Sequence, residues 1–269
     1  MKNNHNYIIT GGKEGKQRLD MLSEALYQYT RSLLLAQGIS VGQSFLDLGC
    51  GGGNVSLLAA EMVSETGNVT AVDFDEKIVA LARQDAAAAN VKNISFEVKS
   101  AYDITYNNQF DTAYARFLLS HLKDPLQAFQ NMVAGAKPGG KVIVEDVHFS
   151  GHFCYPECTA FDKYVHYYTK AAHQNGHNAE IGPTLFGMFQ HAGLEKIGFD
   201  VIVPSFNSGP GKWMACITLD RIKDSLVREA ITNEHTITKM LSELEEFTKN
   251  EQTIMSLPHI FRVWGTKST

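Results

Sequence analysis

Apolar and polar positions along this chain repeat in two periods, and the switches between them mark out the elements. Phe45 to Leu48 (F-L-D-L) is a short apolar run that ends in a glycine cluster, which predicts a buried strand entering a turn. Past the glycines, Val55, Leu58, Ala59 and Met62 recur at helical spacing. Upstream, a polar, glycine-rich arm over residues 1–16 gives way to Leu19, Leu22, Leu26, Tyr29, Leu33 and Leu34, a helical stripe that Gly38 ends. Downstream, strand and helix alternate. Asn68 to Phe74 reads as a strand, and Asp75 to Ala89 as a helix with Val79, Ala82, Ala86 and Ala89 on one face. Strands follow at Ile94 to Val98 and Phe110 to Ala115. Asp124 caps a helix that opens on Pro125. Lys137-Pro138-Gly139-Gly140 reads as a turn before a buried strand, Lys141 to Glu145. Such alternation predicts a parallel sheet with helices on both faces.

From His148 to Asn178 the alternation stops. Phe161, Tyr164, Val165, Tyr168 and Ala172 form one apolar helical stripe, which predicts an inserted helical cap. A helix over Pro183 to Ala192 and a strand around Gly198 to Val203 resume the sheet. Two amphipathic helices follow Leu219, the second carrying Ile237, Met240, Leu241, Leu244 and Phe247. Pro258 to Lys267 reads as a last strand, with Phe261 and Val263 on a buried face and Arg262 opposite. The chain thus divides into an N-terminal arm and helix (1–40), a core (41–147), the cap insertion (148–182) and a completing segment (183–269).

Composition narrows the function. Charged residues at 20% and apolar residues at 44% suit a globular chain. No apolar run is long enough to cross a membrane, and the first twenty residues lack the apolar core of a signal peptide. Cys50, Cys154, Cys158 and Cys216 show no disulfide-scaffold pattern, so reduced thiols and a cytoplasmic location are expected. Cys154 and Cys158 lack a second ligand pair, and Asn175-Gly176 breaks the helix that His173 and His177 need to share an ion, so no metal is expected. The net charge of −5 comes without a basic run, which disfavours nucleic acid. A small molecule is the expected partner, with no membrane association. The oligomeric state stays open.

The glycine turn names a ligand class. A strand, a glycine-rich turn and a helix form a nucleotide-binding element of Rossmann type. Gly49, Gly51 and Gly53 give G-x-G-x-G, but Asn54 stands where a dinucleotide fingerprint has its third glycine. That glycine lets a helix crowd a pyrophosphate; S-adenosylmethionine has no phosphate and does not require it. Asp73 follows Gly49 by 73 − 49 = 24 residues at a strand end, which suits a carboxylate that accepts from both ribose hydroxyls. The alternative for Asp73 is to cap the next helix, but Asp75 is better placed for that.

In these stretches the chain resembles the class I S-adenosylmethionine-dependent methyltransferases: F-L-D-L-G-C-G-G-G-N, A-V-D-F-D, F-D-T-A-Y-A-R and A-K-P-G-G-K-V-I-V-E-D occur in the family's order, over roughly Val41 to Val147. The resemblance implies a Rossmann-like, doubly wound, mostly parallel seven-stranded sheet whose last strand runs antiparallel. It also implies S-adenosyl-L-methionine as the cofactor and an acidic residue after the third strand for the adenine amino group. Ser100 stands at that position. Adenine contact is therefore expected from the backbone of Ala101 and the ring of Tyr102, with Asp103 as a substitute if the loop shifts.

Ligands of open parallel sheets lie beyond the carboxyl ends of the strands. That rule adds Asp47, Cys50 and Asn54 to the glycines, Phe74 for one adenine face, and Arg116 and Phe117 at the end of the fourth strand. Arg116 reads equally as a cofactor contact or as a salt bridge to Asp47; His121 reads as a packed histidine. For a general base, Glu145, Asp146 and His148 leave the right strand end, and His148 with Asp146 are the candidates. Tyr155 and Tyr167, off the cap stripe, are expected to face the acceptor, and the arm around Tyr7 to Gly12 to form the opposite wall. The net charge and aromatic cap favour an uncharged, cationic or aromatic acceptor. A nicotinamide-dependent oxidoreductase, and an S-adenosylmethionine-binding protein with another role, are the alternatives.

Overall fold

The computed structural model describes residues 12–269, with side chains from Gly15 onward. The first helix, α1 (Gly12–Ala36), begins earlier than the apolar stripe indicated. Its first turns are held by charge: Lys16 Nζ lies 2.9 Å from Asp20 and 2.6 Å from Asp85. The rest of the arm, including nearly all of the wall expected over Tyr7 to Gly12, lies outside the described residues.

The core alternates as expected through β1 (Ser44–Leu48), α2 (Asn54–Val63), β2 (Asn68–Asp73), α3 (Glu76–Ala88), β3 (Ile94–Val98), β4 (Phe110–Arg116), α4 (Pro125–Gly135) and β5 (Ala136–His148). Asp75 caps α3 by accepting from Lys77 N and Ile78 N, and Asp124 caps α4 by accepting from Gln127 N. Beyond β5 come β6 (Cys154–Tyr155), α5 (Thr159–Gln174), α6 (Leu185–His191), β7 (Glu195–Ile202), β8 (Ser205–Phe206), α7 (Met214–Arg228), α8 (Glu234–Lys249), β9 (Ile254–Ser256) and β10 (His259–Thr266).

Seven strands form one sheet in the order β3-β2-β1-β4-β5-β10-β7, with β10 antiparallel to both of its neighbours. Strand order reverses between β1 and β4, which opens a crevice at their carboxyl ends. One layer of core packs α1 and α2 against β1, through residues such as Leu34, Leu58, Val63 and Phe45. The opposite layer packs α4 and α6, with Phe129 and Phe189 in ring contact at 4.9 Å.

Three expectations change. Lys137 to Gly140 is no separate turn: it bulges within β5, where the pairing jumps from Phe110–Ala136 to Thr112–Lys141. Both faces of β10 are covered, because Arg262 is only 8% exposed and donates to Asp200 Oδ1 at 2.6 Å and to Tyr29 O at 2.9 Å. The cap draws on segments far apart in sequence. Phe161, Tyr164 and Tyr168 of α5 share one apolar cluster with Leu219 and Ile222 of α7 and Met240 and Leu244 of α8. A small sheet in the order β6-β9-β8 closes its edge.

Candidate functional site

Beyond β1 the backbone takes the left-handed conformation three times, at Gly49 (φ 76°), Gly51 (φ 51°) and Gly53 (φ 78°). Close approach adds to the need for glycine. A Cβ on Gly49 would lie 2.8 Å from Leu118 Cδ1, and one on Gly51 would lie 3.2 Å from Leu19 Cδ1. The loop is thus wedged between α1 and the segment after β4. Asp73 fixes it from below: its Oδ2 accepts from Gly51 N at 2.9 Å and its Oδ1 from Asp75 N at 3.0 Å. Each oxygen keeps a lone-pair site for a further donor. Burial pushes the Asp73 carboxyl up, while these hydrogen bonds oppose the shift. Asn54 explains its departure from glycine, since its Nδ2 donates to Asp20 Oδ1 at 3.1 Å and so ties α2 to α1. Asp47, buried, accepts from Ser56 Oγ at 2.6 Å, and burial pushes it up to about 6.

These groups border a cavity of about 280 Å³. Every residue expected at the cofactor reaches its wall: Asp47, Gly49, Cys50, Gly51, Asn54, Asp73, Phe74, Ser100, Ala101, Tyr102, Arg116 and Phe117. Phe74 is 46% exposed at the rim, so it is not a core residue. Ser100 Oγ accepts from Tyr102 N at 3.2 Å, and Asn131 Nδ2 donates to Ala101 O at 3.0 Å. Asp103 does not line the cavity and does not replace the missing acid.

Arg116 makes no ion pair with Asp47. Its guanidinium donates to Thr30 Oγ1 at 3.1 Å and Ser23 Oγ at 3.4 Å on α1. Thr30 in turn donates to buried Glu145 at 3.0 Å, which also accepts from Tyr114 Oη. Phe117, with φ 51°, holds a left-handed conformation costly for a non-glycine residue, pinned by its N–H to Glu145 O at 2.8 Å.

The far end of the cavity has different chemistry. Arg18 and Leu22 come from α1, Tyr164 and Tyr168 from α5, and Met214 and Thr218 from α7. Phe149 stacks on Tyr168 with centroids 3.8 Å apart and planes 10° apart. His121 and His177 face each other edge to face at 6.4 Å. Burial holds His121 down to about 3 and His152 down to about 4, and it lowers His177 as well. His177 Nδ1 is buried without a hydrogen-bond partner among the described residues.

The two expected general-base residues are corrected. Strand period places Val147 on the cavity wall, so Asp146 and His148 turn to the other face. His148 Nε2 lies 3.2 Å from Glu180, with its ring against His259 and Phe261. Asp146, buried and pushed up to about 6, accepts from Ser120 N at 3.1 Å and from its neighbour Val147 N. It anchors the short turn Leu119–His121 and so positions His121. The aromatic assignment also reverses. Tyr155 is 69% exposed and Tyr167 packs inside the cap, whereas Tyr164 and Tyr168, from the packing stripe, reach the cavity. Arg18, His152 and Thr218 had no local signal, because the fold assembles them across roughly two hundred residues of sequence; Arg18 Nε meets Thr218 Oγ1 at 3.2 Å with a separation of 200. Among the described residues, no group of three His, Cys, Asp or Glu side chains converges on a metal position, and no helix is long and apolar enough to cross a membrane.

The model of the methyltransferase domain family matches residues 39–180, more than half of the chain. The chain belongs to the class I S-adenosylmethionine-dependent methyltransferases. A demethylmenaquinone methyltransferase of Shouchella clausii is 39% identical over 106 residues, covering 39% of this chain and 45% of the relative. The chain thus spans about half the length of that curated relative. A ubiquinone/menaquinone biosynthesis C-methyltransferase UbiE of an Enterobacter strain is 26% identical over 197 residues, 67% of this chain and 78% of the relative. The solved structure of YcgJ from Bacillus subtilis superposes with a TM-score of 0.58 at 17% identity, over 90% of this chain and 99% of that one, so the two share a fold. The glycine cradle and Asp73 lie within the matched span, whereas Arg18, Met214 and Thr218 lie outside it.

Proposed function

We propose that this methyltransferase-family chain moves a methyl group from S-adenosylmethionine to a flat, small-molecule acceptor. The observation that carries the reading is the cavity itself, with a glycine cradle and Asp73 at one end and an aromatic wall at the other. When bound, the cofactor supplies a methyl group already activated on a positively charged sulfur. Gly49 and Gly51 admit backbone to close range, Asp73 accepts from ribose hydroxyls, and Asp47 places a carboxyl where a cationic ligand group is stabilised. Leu19 and Leu22 on α1, with Tyr164 and Tyr168 on α5, shut out water and hold the acceptor in line, which supplies most of the acceleration in such a transfer. Burial keeps the His121 imidazole uncharged and makes it a weak base, so Asp146, by holding its turn, places it as a wall of the acceptor end and not as a proton acceptor.

The Phe149–Tyr168 stack suits a ring system of the kind named in the quinone-methylating relatives. A dinucleotide is the poorer fit, since Asn54 reaches to Asp20 where the fingerprint has glycine, and Asp47 and Asp73 would face a pyrophosphate. Incubation with methyl-labelled S-adenosylmethionine and a reduced 2-substituted 1,4-naphthoquinol tests the reading. Labelled product and S-adenosylhomocysteine in equal amounts are expected. No label transfer to this acceptor, or to any component of a metabolite extract, contradicts it.

A further inference from the structure

Charge is divided along the cavity. The acids on its wall, Asp47, Asp73 and Asp75, gather around the glycine loop together with Arg116 and with Lys99, which pairs with Glu97, whereas Arg18 and Lys123 stand with the histidines at the aromatic end, where no acid lines the wall. Arg18 is half-buried, and only its Nε is engaged, by Thr218. Among the described residues its two terminal amino groups meet no carboxylate, and the nearby Asp20 is already committed to Lys16 and Asn54. An arginine held in a cavity without a counter-charge is costly, unless a ligand supplies one. Elsewhere on the same wall, His177 Nδ1 is buried without a partner among the described residues, a second polar atom open to a ligand or an ordered water. Tyr164, within reach of the Arg18 charge, closes the same corner.

Resting on the methyltransferase reading above, we propose that the acceptor carries an anionic oxygen, a carboxylate or an ionised hydroxyl, and that Arg18 is its counter-ion. The acceptor's ring lies against Phe149 and Tyr168, and its anion faces the two terminal amino groups of Arg18. This replaces the uncharged or cationic acceptor that the chain's net charge favoured, because the local charge of the cavity decides binding and the overall charge does not. It also explains the division of charge: the acid end takes a cationic cofactor and the basic end an anionic acceptor, so each ligand is turned away from the other's half.

The test uses the full chain saturated with S-adenosylhomocysteine and two matched aromatic probes, 1-hydroxy-2-naphthoate and its methyl ester. The naphthoate is expected to bind about tenfold or more tightly than the ester, the size of a charge-assisted hydrogen-bonded pair. Arg18→Met is expected to erase that preference while ester and S-adenosylhomocysteine affinities stay within about twofold, and Arg18→Lys to restore part of it. Equal affinities in the parent protein, binding of neither probe, or a preference that survives Arg18→Met each overturn the proposal. If Arg18→Met does not fold, the parent's ratio together with Arg18→Lys decides. Failure of S-adenosylhomocysteine itself to bind overturns the methyltransferase reading instead, so the two failures are distinct.

Discussion

One carboxylate, Asp73, braces the Gly51 and Asp75 N–H groups, and in the proposed function its remaining lone pairs accept from a ribose. Asp73→Ala is therefore expected to cost about 2–4 kcal/mol of S-adenosylhomocysteine affinity, read by calorimetry, with the fold retained. Gly51→Val reaches the same loss by another route, since φ 51° disfavours a branched residue and the new side chain meets Leu19. Asp146 makes a prediction about pH. Burial pushes its carboxyl up to about 6, above the ordinary carboxylate value of 3.8, so the folded state binds the extra proton between those values and stability falls as pH rises through that window. Relative to Asp146→Asn, the parent protein should lose about 2–2.5 kcal/mol between pH 4 and 7, measured by denaturant unfolding at each pH. A constant difference would show that Asp146 is not held in an unfavourable ionised state.

At the scale of elements, α1 covers the cofactor end, clipped down by Lys16 to Asp85 and by Asn54 to Asp20. Lys16→Ala should loosen the first turns of α1, lowering amide protection over residues 15–22 and weakening cofactor binding, while α8 keeps its protection. The cap depends on packing instead: Phe161→Ala should cost about 3–5 kcal/mol of stability and leave S-adenosylhomocysteine affinity unchanged. The strand–glycine–helix unit and the Asp75 and Asp124 caps were legible, because each is written in a contiguous stretch of residues; the antiparallel direction of the last strand came from the family resemblance and not from its residues. The cofactor half of the cavity was legible for the same reason, as its residues sit at strand ends. The acceptor half was not. Arg18, His152, His177 and Thr218 converge only through tertiary packing, and no periodicity marks them. His148 was misread because composition at a strand end gives the residues but not the face; the alternation that sends Val147 inward sends His148 out. Arg262 looked solvent-facing because its partner, Asp200, lies on a neighbouring strand 62 residues away.

In the described residues a doubly wound sheet and a helical cap meet at a cavity whose wall both supply. Such a fold hosts many reactions, so the activity rests on the site and not on the architecture. The site makes one demand before any acceptor is known: its glycine end must take S-adenosylmethionine and refuse a dinucleotide. Calorimetric titration of the full chain with S-adenosylmethionine, S-adenosylhomocysteine and NADH tests this most directly. Saturable one-to-one binding of the first two is expected, weakened about 30-fold to 1,000-fold by Asp73→Ala, and none of NADH. Absence of heat with either sulfur ligand at about 100 μM, or NADH binding as tightly as they do, would contradict it.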